Sequence, residues 1–531
     1  MSDLLSIGAS GVRAYQTALN VIGENISNAS TTGYVRRDAA LQEVTAGAGK
    51  YPLQINSTQI NGGVIATGVN RSFDAYRAAE VRTATSDLQR SKAGIPWLQQ
   101  VENIFDNGGL SSSIGAFFTA AQGVAADPTS SAPRETMIQA AGALTATFQA
   151  TANGLAAVAS DLKNTAQTSV AQLNSLAQSL ATANAGLSRA TPGSNGEAQL
   201  LDQRDKILDQ MSQLASVNVS YDDKGRATVR LDQPNGPALV EGIKANGVTL
   251  SASEQGVMSF ALNDGASVQP VTMRSGSLAG IADAALRVGD ARNRIDQVAN
   301  DFVTQTNAVQ ASGVDLNGNN GQPLFATTGG AAGISVANSD PDAIAAAGRW
   351  QVTTPAANTG NASIKVDGGP DTGNYRISFS GGQINLVDPI TSAVIASSSY
   401  TSGSPVALGG LTVIVTGAPA DGDNFGVGRT QAGSRDNANL QSLAGLRTSG
   451  GYEQSIADLT TQNASALSAR QSISEAQSAI VDSTTAARDA VSGVNLDSEA
   501  VDLMRYQQAY SASSRVIQVA RDIFQSILDI R

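Results

Sequence analysis

Residues 5–34 read LSIGASGVRAYQTALNVIGENISNASTTGY. Within them Leu5, Gly8, Val12, Tyr15, Leu19, Ile22 and Ile26 recur at alternating steps of three and four. That spacing predicts a helix with a narrow coiled-coil seam rather than the broad apolar face of a globular helix. The run Asn28-Ala29-Ser30-Thr31-Thr32-Gly33-Tyr34 supplies a helix stop and a turn. Asn25, Asn28 and Gly33 are expected to shape the chain as it leaves the helix. The other end of the sequence has the same design. Residues 494–527 read VNLDSEAVDLMRYQQAYSASSRVIQVARDIFQSI, with Leu503, Tyr506, Tyr510, Ser513, Ile517, Ala520, Phe524 and Ile527 again stepping by three and four. Asn495, Asp497 and Glu499 form an acidic N-cap region suited to the helix dipole.

A lone helix in water is marginal, and a few seam residues cannot offset the entropy of ordering the whole segment. Each terminal stripe therefore calls for a partner. The simplest is the stripe at the opposite end, and the next is a neighbouring subunit. Spacing alone leaves open a third arrangement, in which both are ordinary core helices of one domain.

Composition narrows the function. The 531 residues carry 34 Lys and Arg against 45 Asp and Glu, a net charge of −11, which lacks the electrostatic footprint of a nucleic-acid binder. Histidine and cysteine are both absent. Ser-His and Cys-His nucleophilic machinery, the usual zinc, haem and iron–sulfur ligands, and disulfides are thereby excluded, while carboxylate-only chemistry and oxygen-ligand metal sites survive. Aromatic residues make up only 4% of the chain, so a slim core of Ala, Leu and Val is expected. The first cation is Arg13, so no basic region of a cleavable secretory signal is expected at the start. The longest uncharged windows, 136–160 and 164–188, are rich in Gln, Asn, Thr and Ser, and neither suits a bilayer.

Between the ends, residues 35–75 read as irregular or extended and helix returns near Asp74. Leu144, Phe148, Leu155, Val158, Leu162, Leu173, Leu176, Leu180 and Leu187 mark one face of a long helix starting at Ser131-Ala132-Pro133. A further helix runs from Glu197 to about Leu214. The period then becomes two: Val217, Val219 and Tyr221, a turn at Asp222-Asp223-Lys224-Gly225, then Ala227, Val229 and Leu231. Helix resumes from Ser277 to about Ala311. A second β segment spans about Trp350 to Val427, and the chain is helical again from about Ser434. The expected fold is α+β, elongated and multidomain. Its parts would be a terminal coiled-coil assembly domain (1–40 and 495–531) and a mainly helical bundle (41–215, 276–345 and 430–494). A small β insertion (216–275) and an outer antiparallel β domain (346–429) complete it.

Candidate chemistry is thin. Gly47-Ala48-Gly49-Lys50 lacks the upstream Gly and following Ser or Thr of a phosphate loop. Asp315-Leu316-Asn317-Gly318-Asn319-Asn320 resembles the opening of a calcium loop, but Asn320 and Ala326 stand where Gly and Glu are required, so a polar turn is expected. Asp421 and Asp423 read as hairpin caps. Asp202, Asp205 and Asp209, interleaved with Gln203, Arg204 and Lys206, read as a solvated, ion-paired helix face rather than a catalytic carboxylate pair. The doublet Arg36-Arg37 reads as solvated or subunit-facing. No catalytic, cofactor-binding or metal-ligating residue is assigned.

The run Ala18 to Tyr34 closely resembles the N-terminal signature shared by bacterial flagellar rod, hook and hook-associated proteins, and Val494 to Tyr510 resembles the matching C-terminal signature. Tyr506-Gln507-Gln508-Ala509-Tyr510, Tyr34-Val35-Arg36, Leu200 to Asp205 and Asn307 to Phe325 are similar to the hook-associated, hook–filament junction branch of that axial superfamily. The β insertions match no family pattern, and Gln310 stands where many relatives carry His. The resemblance implies a structural, non-enzymatic component of the flagellum without cofactors. Paired terminal helices would line the inside of a helical assembly, with the helical domain around them and the β insertions outward. It implies export through the flagellar type III apparatus to the cell exterior. It also implies contacts with copies of itself, with hook protein and with a second hook-associated junction protein, and an export chaperone on the C-terminal helix. No nucleic-acid or membrane partner is implied. The expected assembly interface is Val12, Tyr15, Leu19, Ile22, Asn25, Ile26, Asn28, Gly33, Tyr34, Leu503, Tyr506, Tyr510, Ile517, Phe524 and Ile527. A hook-like axial protein, a secreted adhesin with a helical anchor, and a cell-wall carboxylate hydrolase are the alternatives.

Overall fold

The structure, a computed structural model, describes residues 2–31, 33–44, 62–369 and 373–529, without the side chains of 2, 3, 527 and 528. The Gly47–Lys50 run, Thr32 and the Ile527 side chain lie outside the described residues. Nine α-helices are found among the described residues: α1 (Ser2–Asn28), α2 (Ala75–Gly108), α3 (Leu110–Ala126), α4 (Ser131–Leu187), α5 (Asn195–Leu214), α6 (Ser277–Ser312), α7 (Ala438–Gly450), α8 (Tyr452–Ser492) and α9 (Leu496–Leu528). The chain divides into two compact units. One comprises Met1–Trp97, Asp161–Arg287 and Leu467–Arg531; the other comprises Leu98–Ser160 and Val288–Ala466.

In the first unit, the stretch after α1 is more ordered than its sequence suggested. Strands Arg37–Glu43 and Val64–Arg71 pair antiparallel, with Arg37 opposite Arg71 and a bulge between Ala40 and Leu41. Backbone pairing rather than side-chain alternation makes this ribbon, which is why its period was faint. The core lies further along the chain. Leu173, Leu180, Leu208 and Met211 share one buried cluster with Ala227, Val229, Leu231, Phe260 and Leu262. The leucines arrive at helical spacing and the strand residues at every second position, so the two periods meet on one face. The hairpin Val217–Tyr221 with Ala227–Leu231 forms as expected, closed by Gly225 at φ 72°.

The second unit corrects the picture of an Ala/Leu/Val core. Phe117, Phe118, Phe148, Phe302 and Phe325, five of the chain's eleven phenylalanines, pack together with Tyr452. The Phe302 ring centroid is 5.2 Å from that of Phe325 and 5.3 Å from that of Tyr452. A low average hid a local concentration. Nearby, Arg134 is almost wholly buried and donates to the carbonyls of Pro128, Pro341 and Ile344. Burial lowers its pKa.

The β region between Trp350 and Arg429 is a two-sheet sandwich. Trp350–Thr353, Asn424–Arg429, Tyr375–Ser380, Gln383–Val387 and Val394–Ser399 lie in that order in one sheet; Ser363–Gly368, Leu411–Thr416 and Pro405–Leu408 form the other. Ile377, Phe379, Ile384, Val413, Val415 and Phe425 fill the space between. Asp423 accepts from the backbone N–H groups of Thr359, Gly360 and Ala420, which holds its carboxyl below the usual range. The Asp315 carboxylate accepts from Asn317 and Asn319 within its own turn. Both aspartates thus close loops.

Candidate assembly interface

Helix α1 packs against α9 and against the ribbon that follows it. Its most buried face is built from Gly8, Gly11, Ala14, Ala18, Val21, Ile22 and Asn25. Of the seam residues, Gly8 and Ile22 lie on that face; Val12, Tyr15 and Leu19 are half-buried, and Leu5 and Ile26 are exposed. Small residues take the deepest positions because they admit the closest backbone approach.

On α9, Leu503, Tyr506, Tyr510 and Ile517 are half-buried and Ala520 is buried. Tyr506 meets Tyr15 with ring centroids 6.1 Å apart. Phe524 stands 55% exposed. Other positions of α9 carry exposed Val501, Met504, Val516, Val519 and Ile523. These also step mostly by three and four, with Gln508 and Ala512 filling the gap, and so form a second stripe. A shallow groove lined by Met504, Gln507, Gln508, Ser511, Ala512 and Arg515 runs along it.

The turn leaving α1 is held by side chains. Asn28 donates to the Glu24 carbonyl, and Gly33 takes φ 85°. Asn25, fully buried, makes a two-way bond to the Arg37 backbone, accepts from the Tyr34 hydroxyl at 2.9 Å and donates to Glu499 at 2.9 Å. Glu499 is 1% exposed and also accepts from Arg36 at 2.7 Å. The hydrogen bond with Glu499 raises the Arg36 pKa. Burial pushes the Tyr34 phenol up to about 12; the nearby Arg37 charge opposes the shift, while Glu24, Asp202 and Glu499 add to it. Asn495 caps α9, accepting from the N–H groups of Asp497 and Ser498.

Beneath this turn lies a charged chain that corrects two expectations. Arg37, only 4% exposed, binds Glu24 at 3.1 Å and Asp202 at 2.6 Å. Arg71 binds Asp202 and Asp205, Arg82 binds Asp209 at 2.7 Å, and Arg204 binds Asp205 at 2.6 Å. The face of α5 bearing Asp202, Asp205 and Asp209 is ion-paired, but Asp205 and Arg204 are buried rather than solvated. Arg36 and Arg37 are likewise spent on internal partners. Helical spacing could not reveal this, because the partner cations come from residues 37, 71 and 82. One signal was available: every cation in the network is Arg, whose fork suits buried carboxylates better than Lys does. Burial raises the Asp209 pKa against the pull of Arg82. A cleft of about 590 Å³ lies alongside, lined by Tyr34, Arg82, Asp205, Asp209, Ser492 and Asn495 among others. Its aspartates and arginines pair with one another, leaving no poised acid–base couple. Among the described residues no group of His, Cys, Asp and Glu is arranged to hold a metal ion, and no helix is long and apolar enough to cross a membrane.

Three family models match the chain: the flagellar hook-associated protein FlgK helical domain over 98–325, the flagella basal body rod protein over 5–34, and the flagellar basal body rod FlgEFG protein C-terminal over 489–530. The terminal models fall on α1 with its turn and on α9. Flagellar hook-associated protein 1 of Salmonella typhimurium is 28% identical over the whole of both chains, and that of Escherichia coli 27% over the same extent. The Bacillus subtilis protein of the same name is 22% identical, over 97% of this chain and 96% of its own. Among solved structures, the flagellar hook junction protein FlgK from Burkholderia pseudomallei superposes with a TM-score of 0.66 at 20% identity, covering 78% of this chain and all of its own. Both terminal signatures, the helical middle and the end-to-end likeness agree: over its whole length the chain is similar to flagellar hook-associated protein 1.

Proposed function

We propose that this chain is a non-enzymatic axial subunit of the bacterial flagellum that polymerises helically and joins hook to filament outside the cell. The observation that carries the reading is the second stripe of α9. One side of the helix is used against α1, while Val501, Met504, Val516, Val519 and Ile523 remain exposed. Exposed apolar side chains grouped along one side of a helix, here at 501 and 504 and again at 516, 519 and 523, mark an interaction surface. Copies of the same chain, related by a repeating heterologous contact, are the occupants that extend into a helix. In this reading the exposed Ile26 and Phe524 line contacts between subunits together with the second stripe, whereas Tyr15, Ile22, Asn25, Tyr34, Tyr506 and Ile517 act within one chain, shaping the α1–α9 pair that presents that surface. Hook protein meets one end of the assembly and a second hook-associated junction protein the other. An export chaperone covers the C-terminal helix beforehand. The names of the relatives, hook-associated protein 1 and hook junction protein, support the same role.

Truncation of residues 498–531 tests it. Cells making the truncated chain are expected to lose attached filaments, while the β regions of the purified protein stay folded by circular dichroism. Filaments attached at the normal frequency would remove the role given to the termini. Deletion of 350–427, by contrast, is expected to leave assembly near normal; loss of surface adhesion with assembly intact would favour an adhesin.

A further inference from the structure

Contacts of three kinds hold α1 and α9 in one antiparallel register. Asn25 meets Glu499 near the start of α9, Tyr15 meets Tyr506 further along, and Gly8 and Gly11 meet Ser513 and Ile517 beyond. The buried face of α1 between the ends is formed mainly by Ala14 and Ala18, which are small and offer little resistance to sliding. A helix pinned by Asn25 alone could still slip or splay at its far end.

The two glycines supply the second anchor. A Cβ built on Gly8 would stand 2.7 Å from Ile517 Cγ1 and 3.2 Å from the Ser513 carbonyl oxygen. One built on Gly11 would stand 2.6 Å from Ser513 Oγ and 3.2 Å from its Cβ. Neither neighbour can step aside freely. Ile517 is β-branched and stiff at χ1, and Ser513 Oγ is tied to the Ala509 carbonyl at 2.9 Å. Ile517 thus sits as a knob in a hole that exists only because residue 8 has no side chain.

We propose that Gly8 and Gly11 form a notch that seats Ile517 and Ser513 and so fixes the axial register of α9 on α1, making them positioning residues for assembly. This rests on the polymerisation reading above and adds what makes each subunit's surface identical. Both helices carry exposed apolar side chains: Leu4, Leu5 and Ile26 on α1, and Val501, Met504, Val516, Val519 and Ile523 on α9. A slip of one turn, about 5.4 Å, would offset the two sets. A helical array repeats one contact without closure, so an offset in one subunit removes the site for the next.

The test uses the full-length chain. Gly8→Ala is expected to lower the fraction that sediments as polymer about tenfold, the scale of an overpacked contact. Gly8→Ala combined with Ile517→Ala, which removes the opposing atom, is expected to recover to within about threefold of the parent. Rescue locates the cost of the alanine in its overlap with Ile517, and the register is then decided by the cross-links below. Register is read separately in the monomer. The chain has no cysteine, so Gly11→Cys with Ser513→Cys should cross-link on oxidation, whereas Gly11→Cys with Ala509→Cys, one turn away, should not. The proposal is overturned if Gly8→Ala polymerises like the parent, if the double variant is no better than Gly8→Ala, or if the offset cysteine pair links equally well. A parent chain that never polymerises would refute the assembly role instead, and the cross-linking result would still decide the register.

Discussion

Phe302 and Phe524 are the same residue type in opposite situations. Phe302 is fully buried among four other phenylalanines and Tyr452, all from one chain, and lacks nothing. Phe524 stands 55% exposed near the end of α9, where Val519 and Ile523 are exposed as well. One region has finished burying its apolar surface within the subunit; the other has buried only the side that faces α1. The difference separates residues that hold the subunit together from residues that hold subunits to one another. Phe302→Ala should therefore lower the unfolding free energy of the purified chain by about 3–5 kcal/mol, the range for a large aromatic removed from a tight core. Phe524→Ala should change monomer stability by less than about 0.5 kcal/mol, as surface substitutions do, yet lower polymer yield. Urea unfolding and sedimentation measure the two effects. Equal destabilisation by both would erase the distinction.

A smaller effect is expected where the terminal pair joins the charged chain. Asp205 is the acid shared by Arg71, Arg204 and, at 3.6 Å, Arg82. Asp205→Ala should cost about 3 kcal/mol, chiefly because it leaves buried guanidinium groups short of a partner. Removal of Asp502, whose contacts to Arg36 and Arg505 are 3.8 and 3.9 Å, should cost less than about 1 kcal/mol. If Asp205→Ala were as mild, the network would be a surface arrangement after all, and the solvated face first expected of α5 would be restored.

What could be read in advance divides along the same line. The periods of α1, α4, α6 and α9 were legible because each helix repeats its apolar residues over many turns. The hairpin at 217–231 was legible because its alternation is interrupted only by a turn cluster. The terminal signatures were legible as a resemblance. The ribbon 37–43/64–71 was not, since its strands do not alternate and their pairing spans a long connection. The aromatic cluster was not, since its rings come from positions 117, 118, 148, 302, 325 and 452, and local periodicity says nothing of which distant faces meet. The charged chain failed for the same reason, and there the sequence misled: Asp-x-x-Asp-x-x-x-Asp with basic residues interspersed looks identical whether water or Arg71 stands opposite. The seam from Leu5 to Ile26 includes Gly8 and Ile22, both buried, but passes over Gly11, Ala14 and Ala18, which are also buried and whose small side chains give periodicity little to find.

An effect the size of one hydrogen bond is expected at Tyr34, where the turn after α1 meets both the helix pair and the charged chain. In the folded protein its phenol ionises near pH 12, against about 10 in an unfolded chain. Below pH 10 the group is neutral in both states, so the stability it confers is fully present. Between 10 and 12 the unfolded state has lost the proton and the folded state still holds it. Stability therefore falls as pH rises through that window. Tyr34→Phe removes this contribution and also the 2.9 Å bond from the hydroxyl to Asn25. The variant should start about 1 kcal/mol less stable between pH 7 and 9, the usual worth of one such bond, and then lose less than the parent as the pH is raised. Stability–pH curves of the two proteins should run parallel below pH 10 and draw together above it, where only the parent gives up this contribution, other tyrosines contributing equally to both. Parallel curves above pH 10 as well would mean that the Tyr34 phenol is not sheltered, and that the turn joining α1 to the charged chain is open to water like the uncovered face of α9.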